Sequence, residues 1–396
     1  MNKIIGEQLS TEIRETHSVV VAGGGIAGIA AALSAARHGA EVLLIEREYL
    51  LGGLATAGLV TIYLPLCDGM GHQVSFGIAE ELLRLSIRHG AEARYPAAWL
   101  DGADEAERAA GQRFEVQYNP QLFALAAEKL LQDAGVRLLY GTSVCAVHRT
   151  ESVIDALIVE NKSGRYGIGV AGSVIDCTGD ADICAFAGER TATFSQGNIL
   201  AAWHYYTGRE GLKLRMLGAC DVPDKQKTGA EAPPLVNRRF TGLDGAELSD
   251  MVQLSHERVY RDILDMQKKD GSHVPVTLPT IPQIRMTRRI DGAYVMDDDE
   301  MHKEFSDSVG MFADWRKRGP VYQLPFSVLH GTRVQNLICA GRCISVTDAM
   351  WDITRVIPVC AVSGEAAGTA AALGSDFTAT DMAALQRALT AAGVRL

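Results

Sequence analysis

Residues 19–28 read "VVVAGGGIAG", and no other stretch restricts the fold of this chain so tightly. Three β-branched apolar residues favour an extended strand, and the glycines after them let the backbone turn within a few residues. Directly behind, "IAGIAAALSAARHG" at 26–39 is rich in alanine and ends on Gly39, which predicts a helix with a glycine stop. "EVLLIE" at 41–46 reads as a second strand, completing a strand–turn–helix–strand unit. Gly23, Gly25 and Gly28 fit the spacing G-x-G-x-x-G. The first glycine permits the turn, the second lets backbone approach a pyrophosphate, and the third lets helix pack on strand. Ile26 and Ala27 open the helix, whose N-terminus offers N–H groups and the positive end of a dipole to phosphate. Glu46 closes the second strand, where a carboxylate can accept hydrogen bonds from a ribose diol. The turn and the carboxylate together predict a dinucleotide, the alternative being a tight turn with no ligand. They do not separate NAD from FAD, because both contain the same ADP half.

A length of 396 residues exceeds the usual size of one core and predicts two domains. Hydrophobic residues make up 47% and charged residues 22%, an ordinary globular balance, and the net charge is -10. With no lysine or arginine block, that charge argues against nucleic-acid and anionic-membrane partners and for a small-molecule substrate. The first seventeen residues carry several charges and no signal-peptide core, and no apolar run reaches eighteen residues, so a cytoplasmic location is expected. None of the eight cysteines stands in a Cys-x-x-Cys pair, so neither a zinc site nor a redox dithiol is expected, and no metal is assigned. Most should be buried small apolar residues.

Further along, Asn119-Pro120 is a cap followed by a good first-turn residue, and Leu122, Leu125, Leu130 and Leu131 keep helical spacing up to Gly135. The strand "VRLLY" follows, and residues 142–176 alternate short strands with turn signals such as "ENKSGR", predicting an antiparallel meander. Residues 220–245, with prolines, charges and little period, read as an exposed excursion. Leu248, Val252, Val259, Ile263 and Met266 mark one long amphipathic helix ending near Gly271. The acidic run "MDDDEMHKEF" at 296–305 lacks the glycine and spacing of a calcium loop and reads as a solvated helix start. The last hundred residues return to α/β character with the strand "NLICAG" and the helix "VCAVSGEAAGTAAAL". The pattern predicts a nucleotide domain built from both ends of the chain, with the middle inserted.

Three segments carry a family resemblance. "SVIDCTGD" at 173–180 resembles the second nucleotide-contacting strand and turn of flavoproteins with two dinucleotide-binding domains. "NLICAGRCIS" at 336–345 resembles their late strand, and "TRVIPVCAVSGEAAGTAAAL" at 354–373 the helix whose N-terminus faces the pyrimidine side of the isoalloxazine. With "GGLATAGLV" at 52–60 and "RMTRRIDGAYV" at 285–295, nearly the whole chain outside about 187–280 resembles the bacterial FAD-dependent oxidoreductases, relatives of succinate dehydrogenase/fumarate reductase flavoproteins.

The resemblance implies an α/β fold: a Rossmann-like FAD-binding domain of the glutathione-reductase type, with an inserted mixed β-sheet and helix substrate domain. The FAD domain would comprise 1–62, 116–190 and 331–396, with 63–115 as a cap segment and 191–330 as the substrate domain. It implies FAD as cofactor, with Gly52, Gly53, Leu54, Ala55 and Thr56 lining the ribityl and ring side. Val144 would meet the adenine through its backbone, and Arg47 would cover the adenine ring. Thr178, Gly179 and Asp180 would form the second contact turn, Gly341 and Arg342 would meet the pyrophosphate, and Ile357 would open the late helix.

The implied activity is hydride transfer between a small organic molecule and flavin N5, which also needs a group that gives or takes a proton. Arg285, Arg288 and Arg289 lie in the family's arginine-rich strand, where one could orient a carboxylate; the alternative is an interface salt bridge. Two stretches are candidates to face the reactive side of the ring: 63–77, with Tyr63, Cys67, Asp68 and His72, and 347–355, with Asp348, Trp351 and Asp352. His204 is a further acid/base candidate, and Cys343, just past Gly341-Arg342, is expected to be buried and inert. The active-site segment of fumarate reductases has no match here. A second G-x-G-x-x-G is also absent, which speaks against a separate NAD(P)H domain. Two other readings remain open: a thiazole-synthase-like protein holding an NAD-derived ligand, and a non-catalytic FAD-holding electron-transfer subunit. The protein partner expected is a second copy of the chain, as a homodimer.

Overall fold

The computed structural model describes residues 6, 9–88, 105–110, 115–218 and 233–396. Its centre is a seven-stranded sheet in the order Arg137–Leu139, Val42–Ile45, Ile13–Ala22, Gly164–Asp176, Val153–Asn161 and Ser143–Thr150, with Leu337–Cys339 also paired to Gly164–Asp176. Ile13–Ala22 lies parallel to both neighbours, with Val21 beside Leu44 on one side and Ile175 on the other. Leu337–Cys339 adds on in parallel, Cys339 beside Asp176. The last three strands of the order form the meander predicted for 142–176, antiparallel throughout. Strands from near both ends of the described chain thus share one sheet. This is the doubly-wound α/β architecture, in which ligands bind outside the carboxyl ends of the parallel strands.

Helix Ile26–Arg37 follows the glycine turn and is buried over nearly its whole length. It packs against the helix Ile357–Leu373, which is buried from Ile357 to Ala371 and so has no polar face to turn outwards. The two approach closely because Gly364 and Gly368 carry no Cβ. A methyl there would lie 2.3 Å from the Ala27 carbonyl oxygen and 2.2 Å from that of Ala31. Helix Pro120–Asp133 starts as its sequence predicts, the Asn119 side chain accepting hydrogen bonds from the N–H of Gln121 and Leu122. Its buried face is Phe123, Ala124, Ala127 and Leu131, however, whereas Leu122 and Leu125 are exposed.

The central part of the chain adds a three-stranded sheet, Gly211–Arg215, His204–Gly208 and Val274–Thr277, beside the long helix Gly245–Lys269. Small cores join these elements: Leu200, Phe240, Met251 and Ile284 in one, and Ala202, Val259 and Ile263 in another. Half of the predicted excursion, residues 220–232 with Cys220, lies outside the described residues. The acidic run from Met296 is not a helix start. Asp297 accepts from Thr347 and from the Asp298 N–H, Glu300 is bonded by Tyr294, and His302 has a left-handed φ of 60°, so the run is pinned as turns. Among the described residues no single helix is long and apolar enough to cross a membrane; Asp348–Thr354 and Ile357–Leu373 reach the length only together, bent by 91°.

Candidate functional site

One large cavity of about 610 Å³ opens at the carboxyl ends of the parallel strands, and the glycine turn forms part of its wall. The three glycines meet different constraints. Gly23 has φ +103°, and a Cβ there would lie 2.4 Å from the Cys177 carbonyl oxygen. At Gly28 the added carbon would sit 1.8 Å from the Gly23 oxygen, so the helix can lie on the turn only without it. At Gly25 it would meet nothing within 4 Å. The middle glycine therefore answers to no protein atom and faces space that a ligand can use.

Glu46 lines the cavity and ties its wall together, accepting from the Gly24 N–H at 2.6 Å and the Glu48 N–H at 2.7 Å. Burial pushes its carboxyl above the usual range, against the pull of those two N–H groups. Arg47, Gly52, Gly53, Leu54, Ala55 and Val144 also line the cavity, and Gly52 is held beside the turn by its N–H bond to the Gly24 carbonyl, 2.8 Å. Thr56 does not line it. Its hydroxyl donates inward to the Leu51 carbonyl, and the residue is fully buried.

On the opposite wall Thr178 and Gly179 line the cavity, whereas the Asp180 carboxylate is turned away to accept from the Thr287 hydroxyl at 2.6 Å. Asp182 stands in its place as the acid on that wall, held at 2.6 Å from Arg288 and pushed up by burial to about 6. Gly341 and Arg342 complete the floor. The Gly341 N–H donates to the Ser363 hydroxyl, and the Arg342 guanidinium donates to the Arg285 carbonyl at 2.6 Å and lies 3.6 Å from Asp180.

Ile357, the first residue of its helix, lies on the cavity, and Val356 before it provides no side-chain cap. The first turn of a helix leaves N–H groups without intrahelical acceptors, so this end presents donors and a positive dipole to the cavity. Backbone N–H groups at two helix starts, a glycine with room beside it and a guanidinium together fit a dinucleotide pyrophosphate.

Of the residues expected to face or act on substrate, only Arg285 lies on the cavity. It is 4% exposed and stacks over the Trp203 ring at 4.9 Å. Arg288 is off the cavity, bonding the Asp180 carbonyl and the Asp182 carboxylate. His72 is 54% exposed and pairs with Asp68 outside the cavity. Trp351 is fully buried, its indole N–H donating to the Arg342 carbonyl. Arg289 stacks on Trp351 in the interior, and His204 and Cys343 are fully buried behind the wall. Tyr63 and Cys67 belong to the core, Asp348 accepts from Ser195, and Asp352 is clasped by Arg355 and Arg316.

Among the cavity residues that sequence reasoning did not single out are Trp203, Trp315, Arg355 and Asp182. Trp203 adjoins His204, Arg355 ends the stretch quoted for Trp351, and Asp182 follows the Thr-Gly-Asp turn by two positions. Trp203, Arg355 and Asp182 thus lie within two positions of His204, Ile357 and Asp180, respectively. Trp315 carried no such signal.

A family model described as FAD dependent oxidoreductase matches residues 18–200 and 189–389. Among curated proteins, a thioredoxin reductase of Ureaplasma parvum serovar 3 is 31% identical over 74 residues, which is 19% of this chain and 24% of that protein's length. Among solved structures, a geranylgeranyl bacteriochlorophyll reductase-like protein from Thermoplasma acidophilum aligns with TM-score 0.45 at 13% identity, covering 96% of this chain and 82% of that one. The p-nitrophenol 4-monooxygenase of Pseudomonas putida DLL-E4 aligns with TM-score 0.47 at 12% identity, covering 91% and 79%.

Proposed function

Because the chain belongs to the FAD dependent oxidoreductase family and so takes FAD as its cofactor, we propose that it transfers a hydride between a small organic substrate and the flavin. The bound cofactor supplies the redox chemistry at its ring, and the protein supplies binding, orientation and charge. One observation carries this reading: the cavity that begins at Glu46 and the glycine turn continues without a partition to Trp203, Trp315, Arg285 and Arg355.

Along that cavity the tryptophans, Ile62 and Leu64 offer apolar surface, and the two arginines offer charge. Arg285 suits an anionic group on the substrate, since a buried guanidinium makes charge-assisted, forked hydrogen bonds with a carboxylate. Its position is set from behind. Trp351 holds the Arg342 carbonyl and Arg342 holds the Arg285 carbonyl, so Trp351 is a positioning residue. Asp352 plays the same part for Arg355 through bonds to both Nε and Nη2.

The test is anaerobic: the purified yellow protein is mixed in turn with hydroxy acids, amines and sugars, and bleaching of the flavin absorbance is followed. Acids should bleach it, and Arg285→Gln should raise KM for the acid ~10- to 100-fold, the cost of one or two charge-assisted bonds, with the flavin spectrum unchanged. If no organic compound bleaches the flavin and only a co-purifying electron carrier exchanges electrons with it, the electron-transfer reading replaces this one. If the released ligand has the mass of an NAD derivative, the thiazole-synthase-like reading does.

A further inference from the structure

Seven described cysteines carry free thiols. Five of them converge on the floor of the cradle: Cys177 and Cys360 on the cavity wall, and Cys184, Cys339 and Cys343 behind it with no exposed surface. The Cys184 and Cys339 sulfurs are 3.0 Å apart, though 155 positions separate the residues in sequence. The two thiols share an S–H···S hydrogen bond in which either can donate, at a separation shorter than the ~3.5–4.0 Å of carbon contacts although sulfur is the larger atom. The Asp176 carboxylate lies within 4.8 Å of both sulfurs.

Beyond that hydrogen bond, two kinds of chemistry could use sulfurs brought this close, a shared metal and a covalent bond. Thiolates at ~2.3 Å from a tetrahedral zinc lie about 3.8 Å apart, wider than this pair. Asp176 is also poorly free to act as a third ligand. One of its oxygens accepts from the Thr178 N–H and hydroxyl, and the other from the Cys184 N–H at 3.1 Å. A disulfide needs its sulfurs at ~2.05 Å, an approach of about 1 Å from where they stand. Cys184 lies on the short helix Asp182–Phe186, whose length and single turn make such a shift easier than it would be in a long element.

We propose that Cys184 and Cys339 are an oxidation site, forming a disulfide with hydrogen peroxide as the oxidant. Each thiol loses its hydrogen and one S–S bond forms. The O–O bond of the peroxide breaks as it takes up two electrons and two protons, leaving as two waters. Burial pushes the Cys184 thiol up to about 12, so little thiolate exists at neutral pH and the bond forms slowly. Once made, it is shielded from reductants by the same burial. It ties the helix that carries Asp182 to the strand end that leads into Gly341 and Arg342, joining two walls of the cradle. A search for Cys-x-x-Cys spacing does not see this pair, because the sheet rather than the local chain brings the two together.

The flavin-loaded full-length protein is treated with hydrogen peroxide, denatured in iodoacetamide without reductant, digested and mapped by mass. The expected product is one cross-linked species joining the Cys184 and Cys339 peptides. Dithiothreitol should abolish it, and it should be absent from Cys184→Ser and Cys339→Ser. The wild-type map decides alone if either variant fails to fold. Met70, 51% exposed, reports the dose through its sulfoxide. The proposal is overturned if Met70 is oxidised while both cysteines are recovered alkylated, or if Cys339 is found joined to Cys343 instead. Stoichiometric zinc that must be chelated before either cysteine alkylates also overturns it, in favour of a metal site.

Discussion

At the scale of single residues, Gly25 and Gly28 stand three positions apart and separate folding from binding. A methyl at Gly25 meets no protein atom within 4 Å, whereas one at Gly28 strikes the Gly23 carbonyl oxygen at 1.8 Å. Gly25→Ala should therefore melt like the wild type yet bind FAD ~10- to 100-fold more weakly, losing one or two charge-assisted bonds to phosphate. Gly28→Ala should lower the melting temperature, with ~2–4 kcal/mol of strain spread over turn and helix. Thermal melts and FAD titration by fluorescence separate the two outcomes, and equal melting losses in both variants would contradict the distinction. The spacing of these glycines was plain in the sequence because the motif is local. Thr56, Asp180, His72, Arg288 and Trp351 were placed at the site by their neighbourhood in sequence, but their side chains found partners elsewhere in the fold. A stretch of sequence specifies which residues are near a site; side-chain direction depends on what packs behind them.

Secondary-structure elements show the same division. The helix starting at Pro120 was legible because Asn119 caps it from the adjoining position, whereas its buried face was misjudged, since a neighbour rather than leucine content decides which side turns inwards. The acidic run at 296–305 looked like a helix start, yet Thr347 and Tyr294, from other segments, hold it in turns. Helix Ile78–Ile87 is a further case. Gly77 before it has no side chain to cap with, and Glu365 from the late helix accepts the Ile78 N–H at 2.8 Å instead. Burial raises the Glu365 carboxyl from 4.5 to about 7. The folded state thus holds its proton more tightly than the unfolded state does. The stability that this adds is complete below pH 4.5, and it is lost as pH rises through 7. Glu365→Gln keeps an acceptor for Ile78 and removes the titration. It should be ~1–3 kcal/mol more stable than wild type at pH 8, with little difference at pH 4.5. Denaturant melts at both pH values check this, and an equal gain at both would refute the assignment to Glu365.

For the molecule as a whole, the cradle is closed by segments from near both ends of the described chain, the glycine turn at 23–28 and the late segment at 340–360. A chain ending at residue 330 should keep the glycine motif but retain no FAD through gel filtration, because Gly341, Arg342 and the helix start at Ile357 are gone. FAD should likewise stabilise the full chain by about 2.7 kcal/mol at a hundredfold excess over Kd, seen as a concentration-dependent rise in melting temperature. The close fit of helix Ile357–Leu373 on helix Ile26–Arg37, made through Gly364 and Gly368, also bears on how the protein is made. Ala27 and Ala31 leave the ribosome about 340 residues before the glycines that cover them. At ~5–20 residues per second this is an interval of roughly 15–70 s. Throughout it the first helix lacks the helix that covers its Ala27–Ala31 flank, and the strand Gly164–Asp176 lacks its neighbour Leu337–Cys339. The nascent chain is therefore expected to depend on a holding chaperone until residues 337–373 emerge.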